Sequence, residues 1–146
     1  MPFYSFHKDK AEGNYAEVYI LEALHKIGFS DAYQTEGKFS DYDIIIPSKN
    51  ITFEIKNDMM ALKTGNIAIE IEKKDGTPTG ITVSKADYWI IFAQNEIYFL
   101  DRLALKDYAL KSDFRTVFGG DKWFFKMVLV PIQELKKQSF FIQLGK

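Results

Sequence analysis

The chain of 146 residues contains no cysteine and only two histidines. The lack of cysteine excludes a disulfide scaffold, a cysteine nucleophile, a zinc–cysteine site and a cysteine-bound iron–sulfur cluster. The histidines, His7 and His25, do not have the spacing of a metal-binding pair. No hydrophobic run approaches the length of a membrane span, and the N-terminus shows no signal-peptide pattern. We therefore expect a soluble cytoplasmic protein without a membrane partner.

Several enzyme motifs are also absent from the sequence. It has no Walker A loop, no glycine-rich dinucleotide turn and no nucleophile elbow. What the sequence does have is a large apolar fraction, with 47% hydrophobic and 16% aromatic residues. A chain of this composition and length buries a core of its own and does not remain disordered. We predict one domain that spans residues 1–146.

Charge is unevenly distributed along the chain, although the formal net charge is only −1. Residues 1–100 carry 10 Lys+Arg and 15 Asp+Glu, a net of −5, whereas residues 101–146 carry 9 and 5, a net of +4. A polyanion is bound by a local basic surface and not by a basic total. The C-terminal third would provide such a surface, with Arg115 and Lys122 as candidate nucleic-acid contacts. Scattered, solvated cations are the alternative interpretation.

A strand, a turn and a second strand are predicted between residues 40 and 56. The strands are Ser40–Ile46 and Ile51–Lys56, and the turn cluster Pro47–Asn50 separates them. With these four residues as the turn, Ile46 faces Ile51, and the numbers of opposed residues sum to 97. Strand side chains alternate between two faces, so one face of this hairpin is apolar and belongs to a core. That apolar face consists of Ile44, Ile46, Ile51, Phe53 and Ile55.

The other face of this hairpin is polar. The register sets Asp43 directly across from Glu54, and Lys56 follows two residues later on the same face. Like charges directly opposite each other destabilise a sheet, unless a cation, a proton or an outward splay offsets their repulsion. We favour a divalent metal as the offset. A solvated sheet face is the alternative, with Asp41 opposite Lys56; Asp41 also competes with Asp43 for the role of the site aspartate.

The pattern Asp43, ten residues, Glu54-Ile55-Lys56 resembles the motif of the PD-(D/E)xK nuclease superfamily, which has a restriction-endonuclease-like fold. Tyr42 stands where the motif has its proline. The resemblance implies that Asp43, Glu54 and the carbonyl of Ile55 bind Mg²⁺ or Mn²⁺. It also implies that Lys56 acts close to the attacking water, as a general base, an orienting group or a phosphate contact.

The chemistry of phosphodiester hydrolysis explains why these residue types are needed. Magnesium is a hard, octahedral ion that takes a few protein oxygens and fills its other positions with water and phosphate oxygens. It acidifies a bound water and neutralises charge on the phosphate in the transition state. The resemblance thus implies a DNA endonuclease that leaves 5′-phosphate and 3′-hydroxyl ends, and small members of the superfamily often form homodimers. The length of 146 residues leaves little room for a recognition domain, which favours a structure-selective or nicking nuclease. The alternative is a catalytically inactive nucleic-acid-binding or interaction module with the same fold.

Glu17 is the candidate fourth member of the site. It lies on a predicted helix over residues 9–27, at the edge of the buried stripe. A carboxylate at this position is desolvated unless a positive charge approaches it. In the nucleases that this chain resembles, an N-terminal helix contributes a glutamate to the metal, directly or through water. A boundary glutamate that reaches solvent is the alternative.

Weaker candidates surround this constellation. Asp58 continues the alternation of Glu54 and Lys56, and Glu70 and Glu72 share a face that would border the site. Lys85 lies near the start of a short helix that Ser84 is predicted to cap, where an anion such as phosphate is favoured. Solvent-exposed charges are the alternative for the three acidic residues.

An aromatic-rich segment with interleaved cations lies in the basic C-terminal third. Its residues include Phe114, Arg115, Phe118, Lys122, Trp123, Phe124, Phe125 and Lys126. Such a segment is suited to stacking on unpaired bases. A place in the core or in a dimer contact is the interpretation that we favour.

The remaining pattern predicts an α/β fold. Further strands are predicted at 32–39, 66–73, 88–93, 96–100, 124–130 and 139–144, a loop at 59–65, a helix at 102–112 and a turn near Gly119-Gly120. The order of helix, three-stranded meander, helix and strand resembles the restriction-endonuclease-like core over about residues 10–93. Residues 94–146 would then add an extra helix and strands.

Overall fold

The computed structural model describes residues 6–35, 41–58, 61–93 and 95–143, with the side chains of all of these except 6–14, 62, 121 and 140–143. The order along the chain is α1 (Phe6–Lys26), β1 (Tyr33–Gln34), β2 (Ile44–Ile46), β3 (Ile51–Asp58), α2 (Ala61–Thr64), β4 (Asn66–Lys73), β5 (Tyr88–Ala93), β6 (Glu96–Asp101), α3 (Arg102–Lys111), β7 (Thr116–Gly119), β8 (Phe125–Pro131), α4 (Ile132–Gln138) and β9 (Phe140–Gln143). This is a mixed α/β fold, as predicted. Within these described ranges, no helix is both long and apolar enough to cross a membrane.

Six strands form the first sheet, in the order β1-β2-β3-β5-β6-β9. β3 and β5 run parallel, whereas every other neighbouring pair is antiparallel. Parallel neighbours require a crossover connection, and β4 lies within this one. The predicted hairpin thus belongs to a run of three consecutive antiparallel strands at one edge of the sheet.

The second sheet has three antiparallel strands, in the order β4-β8-β7. The predicted alternation within β4 is confirmed, because Ile67, Ile69 and Ile71 are buried while Ala68 is exposed. β4 does not extend the first sheet, since its hydrogen-bonding partner is β8 from the C-terminal third. The C-terminal third therefore completes both sheets.

Two hydrophobic cores lie on opposite faces of the first sheet. The core that includes residues of α1 contains Ala16, Ile20, Ile44, Ile55, Ile90, Phe92 and Ile97. The core on the other face combines both sheets with α3 and α4, and its members include Ile69, Trp89, Ile91, Tyr98, Leu105, Val130 and Leu135. β5 supplies alternate residues to the two cores, which explains why its sequence is apolar at almost every position.

The hairpin between β2 and β3 has the predicted register. Ile44 pairs with Phe53 and Ile46 with Ile51, so the numbers sum to 97 in both pairs. The turn is a single 3₁₀ turn that starts at Pro47, and Asn50 ends it in the left-handed region at φ 54°. Asparagine tolerates this conformation better than most residues do. The turn chemistry and the apolar face together explain why the register was predictable.

The short helix predicted after Ser84 is not present, and this prediction is wrong. A 3₁₀ turn at Gly80–Thr82 precedes this position, and residues 84–86 have no regular structure. The Ser84 hydroxyl accepts a hydrogen bond from the indole N–H of Trp89 at 2.9 Å. Asp87, the expected partner in the cap, accepts the Thr52 amide at 2.9 Å instead. The Ser84 hydroxyl also accepts the Ala86 amide at 3.4 Å, a local turn contact, while Asp87 binds a residue distant in sequence, so no helix is capped here.

Three elements were not predicted from the sequence. α2 is one turn long and falls in the predicted loop at 59–65. β7 has four residues and depends on pairing with β8, beside the predicted turn at Gly119-Gly120. α4 begins directly after β8, with Pro131 at its N-cap and no side-chain cap bond. Short elements without capping or turn signals have little local signature, because tertiary pairing determines them.

Candidate active site

Asp43 directly precedes β2, at the point beyond which β3 has no β2 partner. Its amide donates to the Phe53 carbonyl at 2.8 Å. Its carboxylate accepts a hydrogen bond from the Ile55 amide at 2.7 Å. The sequence predicts Asp43 directly across from Glu54, but the ladder stops at Ile44–Phe53. The Asp43 carboxylate therefore lies at the edge of β3, where it takes the place of a further main-chain partner.

The carbonyl of Ile55 points to the same edge. In a strand, the N–H and C=O of one residue are directed to the same side. Because the Ile55 amide donates to Asp43, the Ile55 carbonyl is also directed to the edge that β2 leaves. A carboxylate and a main-chain carbonyl thus share one open strand edge.

Thr35 holds the main chain of Asp43 in place. The Thr35 amide donates to the Asp43 carbonyl at 2.9 Å. Its hydroxyl donates to the carbonyl of Tyr42, while the Tyr42 side chain packs against the core shared by the two sheets. The aspartate is thereby positioned from the residue that follows β1, through contacts that leave its carboxylate available.

Glu54 and Lys56 project from β3 on the side of the second sheet. Their side chains form an ion pair, with 3.2 Å between the Lys56 ammonium and a Glu54 carboxylate oxygen. The ammonium also lies 5.4 Å from the centroid of the Trp89 ring, and Trp89 is the strand partner of Glu54. The Glu54 side chain is only 20% exposed. This exposure argues against the alternative of a solvated sheet face.

Glu17 approaches the constellation from α1, which packs on β3. Its carboxylate accepts a hydrogen bond from the side-chain amide of Gln34 at 3.2 Å. Gln34 is in β1 and pairs with Ile44, whose side chain is buried in the core that contains α1 residues. Glu17 thus belongs to the helix side of the sheet, near the end of β2. It does not reach solvent freely, because it is partly buried.

The three carboxyl groups influence one another electrostatically. Burial raises the pKa of Glu54, and the charges of Asp43 and Glu17 raise it further, against the opposing effect of Lys56. Burial also raises the pKa of Asp43, although the Ile55 amide and Lys56 counteract this. For Glu17, burial and then the charge of Asp43 raise the pKa, while Gln34 and Lys56 oppose the rise. Lys56 alone is not sufficient to offset the burial of three acids.

The available donors fit a metal ion that needs few protein ligands. Among the residues that the structure describes, no group of three Asp, Glu, His or Cys side chains is arranged to hold a metal. Asp43, Glu54 and the Ile55 carbonyl are hard oxygen donors, and Mg²⁺ usually keeps several waters beside one or two carboxylates. A cation would also offset the cost of burying these charges. Glu17 would then act through a bound water.

Glu54 and Lys56 open into a cleft of about 260 Å³. Residues that line it from outside β3 include Asp41, Glu70, Gly80, Ser84, Lys85 and Trp89. A second cavity, of about 310 Å³, adjoins it and extends along β4 to Met127. Lys56, Glu70 and Trp89 line both spaces, so the polar residues of β3 face a groove between the two sheets.

Lys85 is the predicted nucleic-acid contact that the structure brings to this cleft. Its side chain is 74% exposed, and its ammonium lies 3.9 Å from a carboxylate oxygen of Asp41. Arg115 and Lys122 are exposed on either side of β7 and do not line the cleft. The competing aspartate, Asp41, is 60% exposed and pairs with Lys85 and not with Lys56. These contacts favour Asp43 over Asp41 as the site aspartate.

Two of the weaker acidic candidates have distinct surroundings. Asp58 accepts the Ala68 amide at 2.9 Å and so connects β3 to β4. Glu70 lines the cleft, as its predicted face would require, whereas Glu72 is not among the lining residues.

Sequence reasoning missed Gln34 as a partner of Glu17 and Trp89 as the surface beneath Lys56. Gln34 carries no local signal, because its role depends on how α1 packs on the sheet. Trp89 is buried, at 2% exposure. Its contact with Lys56 follows from the parallel pairing of β3 with β5, which the sequence did not predict.

Comparison of the chain with protein-family models, with curated proteins and with solved structures gives no match. Inference about function therefore depends on the contacts and charges of these residues.

Proposed function

We propose that the chain is a metal-dependent endonuclease that hydrolyses phosphodiester bonds in DNA. The observation that carries this proposal is the group formed by Asp43, Glu54 and Lys56. Two carboxyl groups with burial-raised pKa values lie beside one strand, and a lysine contacts one of them at 3.2 Å. Carboxyl groups with pKa values perturbed by desolvation and by a charged partner cluster at functional sites.

The order of elements supports a restriction-endonuclease-like core. A helix, α1, packs against three antiparallel strands, and the next strand of the same sheet, β5, lies parallel to β3. The second helix of that core has no counterpart of its length here, since a 3₁₀ turn at Gly80–Thr82 precedes β5. We assign β4 to the connection between β3 and β5, where it forms part of the second sheet.

The proposed roles follow from the position of each group. Asp43, Glu54 and the Ile55 carbonyl would hold Mg²⁺ or Mn²⁺, and Glu17 would contact it through water. Bound magnesium supplies an acidified water and neutralises charge on the phosphate. Lys56 holds its ammonium over Trp89 and beside Glu54, from where it orients a water or a phosphate oxygen.

Charge explains why a cation belongs in this mechanism. Three carboxylates near one strand edge repel the phosphates of an approaching DNA strand. Lys56 and Lys85 are the cations that line the cleft in the described part of the chain. A divalent ion at Asp43 and Glu54 would reverse the local charge and permit the approach of a phosphodiester.

A cleavage assay tests this proposal. The full chain is incubated with single-stranded, duplex and branched DNA in Mg²⁺, in Mn²⁺ and in EDTA, and the product ends are identified. We expect cleavage only with the metals, with 5′-phosphate products, and its loss in Glu54→Gln. Glu22→Gln is a matched control, because Glu22 is an exposed residue of α1. Folded protein that cleaves none of these substrates would refute the proposal.

A second candidate function is a nucleic-acid-binding or interaction module with this fold and no catalysis. It is favoured by the lack of a group of three acidic side chains arranged for a metal, within the ranges described. The cleavage assay separates the two functions, since a binding module retains DNA in EDTA and never cleaves it.

We also propose that the chain forms a homodimer, so that two sites can act on two strands. Sedimentation equilibrium tests this, and a monomer at micromolar concentration would argue against it.

A further inference from the structure

Three exposed aromatic side chains belong to β7 and to its connection with β8, in the second sheet. Trp123 is 70% exposed, Phe118 is 42% exposed and Phe124 is 40% exposed. Other rings of the same segment are less exposed, since Phe114 packs edge-on against Tyr108 with 5.3 Å between ring centroids. The sequence favours a core or dimer contact for this segment, but only part of it is covered in this chain.

Lysines accompany these rings. The ammonium of Lys73 lies 5.8 Å from the ring centroid of Phe124, and that of Lys74 lies 5.7 Å from the ring centroid of Phe118. The Lys74 amide donates to the Phe124 carbonyl at 2.8 Å, which ties the turn after β4 to the aromatic segment. Lys122 precedes Trp123 and is exposed. We call Lys73, Lys74, Phe118, Lys122, Trp123 and Phe124 the aromatic–lysine patch.

The main chain holds the centre of this patch in an unusual conformation. Lys122 and Trp123 both have positive φ angles, of 56° and 58°. Such angles are uncommon for residues other than glycine and are outliers for bulky ones. The amide of Trp123 donates to the Gly120 carbonyl at 3.1 Å, which closes the turn. Two adjacent residues thus accept local strain while the indole stays largely in solvent.

We infer that the aromatic–lysine patch binds an unpaired DNA strand. Exposed rings stack on unpaired bases, and nearby cations contact the phosphates between them. The rings of the patch thus match the bases of such a strand, and its lysines match the phosphates. A duplex offers its phosphates but keeps its bases stacked inside, so the rings select for unpaired DNA. Asp75 is an acidic neighbour of Lys74, and its carboxylate accepts a hydrogen bond from the Thr77 amide at 2.9 Å.

This inference goes beyond the proposed endonuclease activity, because none of the six patch residues lines the cleft beside Glu54. The choice of DNA over RNA rests on the proposed function. The patch would favour substrates with a single-stranded portion next to the cleavage site. Binding at the patch needs no metal, so it can be measured separately from cleavage.

Fluorescence anisotropy with a labelled oligothymidylate of about twelve nucleotides tests the inference in EDTA. We expect Trp123→Ala to weaken binding about tenfold, because stacking of one base on an aromatic ring contributes at this level. Trp123→Phe should retain most of the affinity. Tyr15→Ala is the matched control, since Tyr15 is 66% exposed on α1. Circular dichroism verifies that each variant is folded. We expect Trp123→Ala to fold, because the indole is largely exposed and alanine would adopt the same positive φ.

The lysines provide a second readout. Replacing both Lys73 and Lys74 by alanine should make binding less dependent on salt, with the slope reduced by about 0.7 for each phosphate that is no longer neutralised. Glu54→Gln should abolish cleavage, and adding Trp123→Ala to it should still weaken binding in EDTA about tenfold relative to Glu54→Gln alone. Failure of the patch and failure of the nuclease are therefore distinguishable.

Four results would overturn the inference. These are equal affinity for a DNA hairpin duplex of the same length, unchanged binding by Trp123→Ala, and tighter binding of oligouridylate than of oligothymidylate. The fourth is loss of self-association in Trp123→Ala with no change in oligonucleotide binding, which would make the patch a contact with a second copy of the chain.

Discussion

The two sheets of this protein hold their charged groups in opposite ways. The first sheet withdraws carboxyl groups from water, so that burial raises the pKa of Asp43 and of Glu54. At one end of the second sheet, the half-buried Lys73 and the exposed Lys74 lie beside exposed aromatic rings. Buried groups of like charge need a partner to offset their repulsion, whereas exposed cations are ready to contact a polyanion. This difference underlies our proposal of chemistry at the first sheet and of binding at the second.

A shared core connects these two regions. Trp89 and Ile91 of the first sheet pack in the same core as Ile69 and Val130 of the second. The cleft beside Glu54 lies between the sheets and is lined by residues from both. A substrate strand bound at the second sheet would thus be held on the same rigid body as the acidic site.

The largest expected effect is on catalysis at the first sheet. Asp43→Asn should lower the cleavage rate by at least about a hundredfold, because it removes the charge of a proposed metal ligand while the amide oxygen can still accept from Ile55. Lys56→Ala should lower it by about 10²–10⁴-fold if the lysine acts in proton transfer. Single-turnover kinetics at saturating Mg²⁺ measure both.

Asp41→Asn is the matched control for that experiment. Asp41 is 60% exposed and pairs with Lys85, so its loss should change the rate by only a small factor. An inactive Asp41→Asn with an active Asp43→Asn would mean that the site aspartate has been misassigned by two residues.

The second effect is on stability, at the contact between the sheets. Gly80 has φ +56°, and a Cβ at this position would lie 2.2 Å from the Glu70 carbonyl oxygen of β4. Gly80→Ala should therefore destabilise the fold by more than about 3 kcal/mol, through strain plus a clash with main chain. Gly76→Ala has positive φ but no atom within 4 Å, so it should cost only about 1–2 kcal/mol. Urea unfolding of both variants measures the free energy of unfolding that each one loses, and the difference between them is due to the clash. Equal losses in the two variants would contradict the predicted clash at Gly80.

Local sequence patterns were sufficient for much of the fold. The hairpin register was predicted because a four-residue turn and an apolar face determine it together. Hydrophobic periodicity also predicted five other elements close to their observed bounds, namely α1, β4, β5, β6 and α3. The assignment of β4 to a separate sheet was not predictable, because its partner β8 is distant in sequence. The helix after Ser84 failed because Ser84 and Asp87 bind residues that the local pattern does not reveal.

The site was predictable to the extent that alternation determines it. Period two placed Glu54 and Lys56 on one face, where they form an ion pair. Asp43 was predicted as a member of the ladder, yet β2 begins one residue after it, and its side chain takes the place of a main-chain partner of β3. Gln34 contacts the site because α1 packs on the sheet, and Trp89 contacts it because β5 pairs with β3 in parallel. Such contacts depend on tertiary structure.

The third effect is a loss of stability with rising pH, which the three carboxyl groups at the acidic site should cause. A carboxyl group with a raised pKa in the folded state binds its proton more tightly there than in the unfolded chain. Its stabilising contribution is fully present below the ordinary carboxyl pKa, about 4, and is lost as pH rises through the raised pKa. The pKa values of Glu17, Asp43 and Glu54 are all raised. In EDTA, these three groups should therefore destabilise the fold at pH 7.

Asp43→Asn and Glu54→Gln test this directly, because the introduced asparagine and glutamine side chains do not titrate. Each variant should be more stable than the parent chain at pH 7 and no more stable near pH 4, as measured by urea unfolding. Asp31 and Asp75 have lowered pKa values and act in the opposite direction, but they are present in every protein compared. A variant that is less stable than the parent at pH 7 would contradict the prediction.

The smallest expected effect distinguishes cations near the acidic site from those far from it. Lys85 lines the cleft with Glu54 but is 74% exposed, so one phosphate contact there is strongly screened. Lys85→Ala should raise KM for DNA about threefold and leave kcat unchanged. Arg115→Ala serves as the matched comparison, because Arg115 is exposed and outside the cleft. The two variants should differ most at low salt and converge as ionic strength rises, since screening removes an exposed contact first. Equal effects on KM at low salt would mean that DNA reaches the site along the second sheet and not across the cleft.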